Sequence, residues 1–134
     1  MIRRPPRSTL FPYTTSSDLA AIDAGLDWLT SERDSIGAWR SEYGAGITGL
    51  VVSAYMRDPS GGYTADSPEV ASALDWLASL QQEDGSIYDP DSQLPLPNYN
   101  TSTALMALSA SKSAKYADTI RRAQDYLIDR KSVV

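Results

Sequence analysis

The 134-residue chain has no cysteine and no histidine. Without cysteine there is no disulfide framework, thiol nucleophile or thiolate cluster, and without histidine no imidazole base, Ser-His triad or ordinary zinc site. Neither a metal nor a cofactor is therefore expected. Long apolar runs are missing too: nothing approaches the roughly 18 residues that a membrane-spanning helix needs. Basic charge is scarce, with 12 Lys and Arg against 17 Asp and Glu and a net charge of −5. That balance argues against nucleic acid as a partner, because phosphates are bound mainly by clustered lysine and arginine.

The basic residues that are present lie unevenly. Three of the nine arginines and three of the eight prolines fall within the run MIRRPPRSTLFP, residues 1–12. This run lacks the apolar core of about 7–15 residues of a secretory signal, and its prolines would interrupt the amphipathic helix of a mitochondrial presequence. Residues 1–19 instead read as the translation of a short-read sequencing-library adapter. The bases TAC ACG ACG encode Tyr13-Thr14-Thr15, and the continuation with one base lost encodes Ser16-Ser17-Asp18-Leu19. The reverse complement of the same adapter encodes Asp129-Arg130-Lys131-Ser132-Val133-Val134 and then a stop. The expectation is a natural insert of residues 20–128, cut from a longer chain, between a disordered adapter-derived segment (1–19) and a second one (129–134). Leaving out the charged residues of both ends takes the net charge from −5 to −8.

Within the insert the sequence repeats itself, which is the first thing to settle before local structure. Gly25-Leu26-Asp27-Trp28-Leu29 returns as Ala73-Leu74-Asp75-Trp76-Leu77 and again as Ala123-Gln124-Asp125-Tyr126-Leu127. Ile22, Val70 and Ile120 keep the same register, and Gly37-Ala38-Trp39 matches Gly85-Ser86-Ile87. A second block, Thr48-Gly49-Leu50-Val51, matches Thr103-Ala104-Leu105-Met106, so the second copy is read as carrying a longer loop. The chain divides on this pattern into repeat 1 (20–66), repeat 2 (67–115) and the start of repeat 3 (116–128).

Each repeat reads as two helices. In copy two, Ser67 is the expected N-cap and Pro68 the first helical residue, whose fixed φ and missing N–H suit that place. Val70, Leu74, Leu77 and Leu80 then follow at helical spacing along one face, with Asp75 elsewhere on the circumference. Asp84-Gly85 supplies turn chemistry. Copy one places the same helix over about residues 20–31, and copy three from about Ala117 to the end of the insert. The second helices, about 46–57 and 101–111, carry no charge over ten or more residues, the pattern of helices buried all round, so the first, one-sided helix of each repeat is read as the outer helix and the second as the inner helix. Ser60-Gly61-Gly62 and the proline-punctuated tract from Asp89 to Asn98 are loops. The fold class is all-α.

The spacing Trp76-Leu77-x-x-x-Gln81-x-x-x-Gly85-x-Ile87 resembles the QW-type motif of the terpene cyclase and prenyltransferase repeat family, with Ile87 where that family has Trp. Copy one reads Trp28-Leu29-x-x-x-Arg33-x-x-x-Gly37-x-Trp39, with Arg33 in place of Gln, and copy three gives only the front half, through Tyr126. The tract NYNTSTALMAL is also similar to bacterial squalene-cyclase-like repeat proteins. The resemblance implies a partial α/α toroid: two helix pairs and the first helix of a third, completed by the remaining repeats of the parent chain around a cavity for an isoprenoid or other apolar molecule. Trp28, Gly37, Trp39, Trp76, Gln81, Gly85, Ile87 and Tyr126 then have a structural role. An aromatic packs on a neighbouring helix, Gly permits the turn, and the Gln side chain bonds free backbone groups at an adjacent helix end.

No catalytic residue is expected. The Asp-rich acid of squalene-hopene-type cyclases has no counterpart, and Asp89-Pro90-Asp91 reads as a turn. Asp84, Asp89 and Asp91 lack the spacing of a calcium loop. Asp27, Asp75 and Asp125 read as a solvated face pairing with basic residues of the next unit. Tyr43, Tyr99 and Asn100, just before the inner helices, are candidates for lining the mouth of a cavity, with Asn100 alternatively an N-cap for the helix from Thr101. The segment itself is expected to be inert. Its parent is read as binding or cyclising a polyisoprenoid, and the alternative is a non-catalytic α/α binding module.

Overall fold

A computed structural model describes residues 15–132. It contains five α-helices: α1 (Ser16–Ser31), α2 (Ala45–Met56), α3 (Ala71–Ser79), α4 (Pro97–Ala110) and α5 (Ala117–Ser132). Single turns of 3-10 helix precede α2 and α5, at Ser41–Tyr43 and Ala114–Tyr116. The described residues form no strand beyond one isolated bridge between Gln81 and Ile87, so the fold is all-α. Helices α1 and α2 make one pair, α3 and α4 a second, and α5 stands where a third pair would begin.

Several boundaries differ from the sequence reading for identifiable reasons. Helix α1 starts at Ser16, inside the segment expected to be disordered, because Thr15 and Asp18 close a capping box that satisfies free N–H groups of the first turn. Residues 1–14 and 133–134, the rest of the two segments that the sequence reads as adapter translation, lie outside the described residues. Helix α5 continues past Ile128 to Ser132. Ser67 does not cap α3: its hydroxyl accepts from the Thr64 N–H (2.8 Å), and residues 68–70 form a turn before the helix begins at Ala71. Helix α4 starts four residues earlier than expected, with Pro97 in its first turn, where a residue lacking an N–H costs nothing.

The core lies between the pairs. Leu74, Leu77, Val70, Val52, Tyr55, Ile87 and Leu108 are fully enclosed, so the face read from Val70, Leu74 and Leu77 is the one that packs. Helices α2 and α4 cross at small residues. A Cβ added to Gly49 would sit 2.7 Å from the Thr103 carbonyl carbon, and one added to Gly46 would sit 2.8 Å from the Tyr99 ring. Glycine is what lets the two backbones approach this closely.

The uncharged helices are not buried all round. Ile47 and Leu50 of α2 are exposed, and Val51 is half-buried. On α4 the exposed positions are Asn98, Tyr99, Ser102 and Ser109. A lack of charge predicted burial, yet each of these helices has one flank against its neighbour and another facing outward.

Candidate functional site

The repeated spacing Trp/Gln/Gly builds a tether between successive pairs, and the structure forms it twice. After α3, the Gln82 N–H donates to the Ser86 C=O (2.7 Å) and the Gly85 N–H to the Gln82 C=O (3.0 Å), with Gly85 at φ +92°. After α1, the Asp34 N–H donates to the Ala38 C=O (2.9 Å) and the Gly37 N–H to the Asp34 C=O (3.0 Å), with Gly37 at φ +88°. These are the same turn, 48 residues apart. Glycine is required at both because an L side chain is disfavoured at such φ.

Each turn then reaches the next outer helix. The Gln81 amide donates to the Thr119 C=O (2.9 Å) in the first turn of α5 and to the Gly85 C=O (3.1 Å), while its oxygen accepts from Arg122 (2.9 Å). Arg122 also donates to the carbonyls of Gln82 (3.1 Å) and Glu83 (3.0 Å). In the first copy Arg33 donates to the Pro68 C=O (2.9 Å) and more weakly to that of Glu69 (3.4 Å), just before α3. Arg33 therefore reaches the place that Gln81 reaches one repeat later. The glycines dock there as well. A Cβ on Gly37 would meet the Ser72 Cβ at 2.9 Å, and one on Gly85 would overlap the Arg122 carbonyl.

The aromatics at the motif positions have unequal surroundings. Trp39 is buried, its indole N–H donates to the Leu29 C=O (2.6 Å), and its ring lies 5.6 Å from that of Tyr55. Ile87 is fully buried at the same place in copy two, Trp76 is half-buried against the core, and Tyr126 is buried. Trp28, by contrast, is 61% exposed. Beside it a cleft of about 200 Å3 runs between α1 and α2, floored by Leu29, Trp39 and Val51.

A hydroxyl clamp fixes the rotation of the inner helices. Thr48 accepts from the Trp39 N–H (3.0 Å) and donates to its C=O (2.9 Å). In copy two Thr101 accepts from the Ile87 N–H (2.8 Å). Thr103, the expected counterpart of Thr48, instead donates to the Asn100 C=O of its own helix (3.1 Å). The inner helices thus correspond with an offset of 53 residues rather than 55. Two residues turn a helix by about 200°, so the matching letters Thr-x-Leu pointed to opposite faces.

At the start of α4 a cleft of about 430 Å3 is lined by Leu96, Pro97, Asn98, Tyr99 and Tyr126. Tyr99 is 52% exposed, and the Tyr126 hydroxyl donates to Asn98 (2.8 Å). Asn100 does not line this space and is not an N-cap: it is inside α4, 2% exposed, with its amide donating to the Leu94 C=O (3.1 Å). Tyr43 lies elsewhere, in the turn before α2 with the Arg40 guanidinium over its ring at 5.2 Å.

The carboxylates have structural surroundings. Asp75 accepts from Lys115 (2.7 Å) and Tyr116 (2.6 Å). Those two bonds, Lys115's the larger, hold its carboxyl below the usual range, while burial first and Asp75 second push the Tyr116 phenol up. Asp125 pairs with Arg121 of its own helix (3.4 Å), and Asp27 is exposed. Burial pushes Asp34 up, but bonds from Ser41, Ala38 and Ile36 outweigh it and leave its carboxyl low. Asp89 and Asp91 form a turn through the Asp91 N–H (2.9 Å). Among the described residues no three acidic side chains are grouped to hold a metal, and no helix is long and apolar enough to cross a membrane.

Sequence reading missed Tyr55. Its hydroxyl donates to the Leu26 C=O (2.9 Å) and lies 2.7 Å from the Thr30 hydroxyl, tying α2 to α1. Burial is the main cause that pushes its phenol up. The signal was a lone aromatic in an otherwise small and aliphatic tract. No protein-family model matches the chain, and no curated protein matches it.

Proposed function

We propose that the chain is part of an α/α-repeat protein of the terpene cyclase and prenyltransferase type, whose role here is to build and bind rather than to catalyse. The observation that supports it is the tether formed twice, with Arg33 and Gln81 at the same motif position reaching the start of the next outer helix. A motif that joins units is the expected use of residues with this spacing in a stack of helical pairs, where each unit is stabilised by its neighbour.

The ligand this reading favours is an apolar, isoprenoid-like molecule, and the cleft at Tyr99 is where it would contact this chain. Its volume of about 430 Å3 suits a small apolar ligand with few polar contacts. Leu96, Pro97 and the two tyrosine rings give apolar walls, and Asn98 gives one polar group. Titration of the chain with farnesol and geranylgeraniol, followed by calorimetry, tests the reading. Saturable binding that Tyr99→Ala weakens at least fivefold, while Trp28→Ala leaves it unchanged, is expected. Binding indifferent to Tyr99, or none at millimolar ligand, would count against it.

A further inference from the structure

Asp58 follows directly on Arg57, the C-cap of α2, and is only 8% exposed. Its Oδ2 accepts from the Ser60 hydroxyl, while Oδ1 is buried and has no hydrogen-bond partner. Other carboxylates held in turns are supplied with backbone donors. Asp34 accepts from the N–H groups of Ile36, Ala38 and Ser41, Asp84 from that of Ser86, and Asp89 from that of Asp91. Asp58 accepts from none, and no ion pair among the described residues reaches it. A carboxylate taken out of water without such partners is strongly disfavoured, so buried charges are paired or coordinate a metal.

The register of the inner helices, in which Thr48 answers to Thr101, shows that this need belongs to the first pair alone. Asp58 answers to Ser111 and Tyr55 to Leu108. Ser111 is also buried, and its hydroxyl donates to the Leu108 C=O (2.6 Å). A hydroxyl has a proton to give to the carbonyls of a helix end, whereas an ionised carboxylate has none. Negative charge gathers here as well: burial first, then Glu69, Tyr55, Asp27 and Asp58, push the Tyr63 phenol up, and the C-terminal end of a helix dipole adds to it. We propose that Asp58 Oδ1 is the anionic ligand of a calcium ion seated at the C-terminal end of α2. No three acidic side chains are grouped among the described residues, so helix-end carbonyls and water complete the shell. Calcium accepts such a flexible set of about 6–8 oxygens, while magnesium gives up its waters reluctantly. A single buried carboxylate places the affinity at about 0.1–1 mM. The inference rests on Asp58 and the repeat register and not on the ligand assigned to the Tyr99 cleft, so farnesol binding can fail while it stands.

The test titrates the full, chelator-treated, nitrogen-labelled chain with calcium chloride at constant ionic strength and pH 7. Saturable shifts of the Ser60, Gly61, Gly62 and Tyr63 amide signals are expected, with a rise of at least about 5 °C in thermal midpoint at 10 mM calcium. Magnesium or sodium at the same concentration should move those signals less than one fifth as far. Asp58→Asn should abolish both responses, and Asp66→Asn, at an exposed carboxylate of the same loop, should leave them unchanged. Asp58→Ser supplies the residue that the second pair uses, so this variant should fold without calcium at least as stably as the unaltered chain and ignore the ion. Absence of saturable shifts up to 10 mM calcium would overturn the proposal and leave Oδ1 to a water molecule or a proton. Shifts that persist in Asp58→Asn or Asp58→Ser, that vanish in Asp66→Asn, or that magnesium reproduces in full would overturn it equally.

Discussion

Replacing Gly85 with alanine probes the tether at its tightest point. The residue sits at φ +92°, and an added Cβ would overlap the Arg122 carbonyl oxygen and lie 3.0 Å from the carbonyl carbon. Left-handed backbone costs an L-residue about 1–2 kcal/mol. Forcing a methyl against backbone in a packed contact adds about 1–3 kcal/mol, because α5 rather than a flexible side chain must move. The expected loss is therefore about 2–5 kcal/mol. Gly61 separates the two costs: its φ is +67° and nothing lies within 4 Å of a Cβ there, so Gly61→Ala should lose only about 1 kcal/mol. Urea unfolding followed by circular dichroism measures both, and in a thermal scan each kcal/mol corresponds to about 4 °C for a domain of this size. If Gly85→Ala costs no more than Gly61→Ala, α5 is not docked on this turn and the reasoning is wrong.

Three further outcomes are expected. Tyr55→Phe should cost about 1–2 kcal/mol in urea unfolding, because it leaves the buried Leu26 C=O and Thr30 hydroxyl without the phenol. At the first tether, Arg33→Gln should retain more stability than Arg33→Ala, since a glutamine at this motif position is what makes the second tether. Asp75 contributes to acid sensitivity. Its carboxyl is held low by Lys115 and Tyr116 in the folded chain, so its stabilisation is complete above the unfolded value of about 3.9 and is lost as pH falls through the lower folded value. The pair is exposed, which limits the effect to about 1 kcal/mol. Asp75→Asn should therefore be slightly less stable than the unaltered chain at pH 6, with the difference shrinking as pH falls below about 3.9, and a difference at pH 2 as large as at pH 6 would contradict the assignment.

How much of this was legible in the sequence depended on the kind of signal. The outer helices and both glycine turns followed from Val70, Leu74 and Leu77 and from the recurrence of Gly37 and Gly85, because apolar periodicity and positive φ are local properties. The inner-helix register was not legible. Thr48 and Thr103 match by letters, but only the three-dimensional bond from Thr101 to Ile87 decides which face of α4 turns inward. The early start of α4 likewise depended on tertiary contacts, since Asn100 is held by the Leu94 carbonyl and looks by sequence like a cap. Arg33 was read as a departure from the motif, although its longer side chain reaches the same backbone. Tyr43, Tyr99 and Asn100 were grouped because they precede the inner helices, yet of the three only Tyr99 lines the cleft at the start of α4.

The account stands on the crossing of α2 and α4, which sets the register of both pairs and leaves the α1/α2 face open. Nuclear Overhauser spectroscopy on the labelled chain tests it directly. Strong cross-peaks are expected from the Gly46 Hα to the Tyr99 ring and from the Gly49 Hα to Thr103, with the Gly46 Hα shifted upfield by the ring. A dispersed spectrum of folded protein in which Gly46 and Gly49 instead show cross-peaks to Leu105 or Ser109, the opposite flank of α4, would contradict the register and the inferences drawn from it.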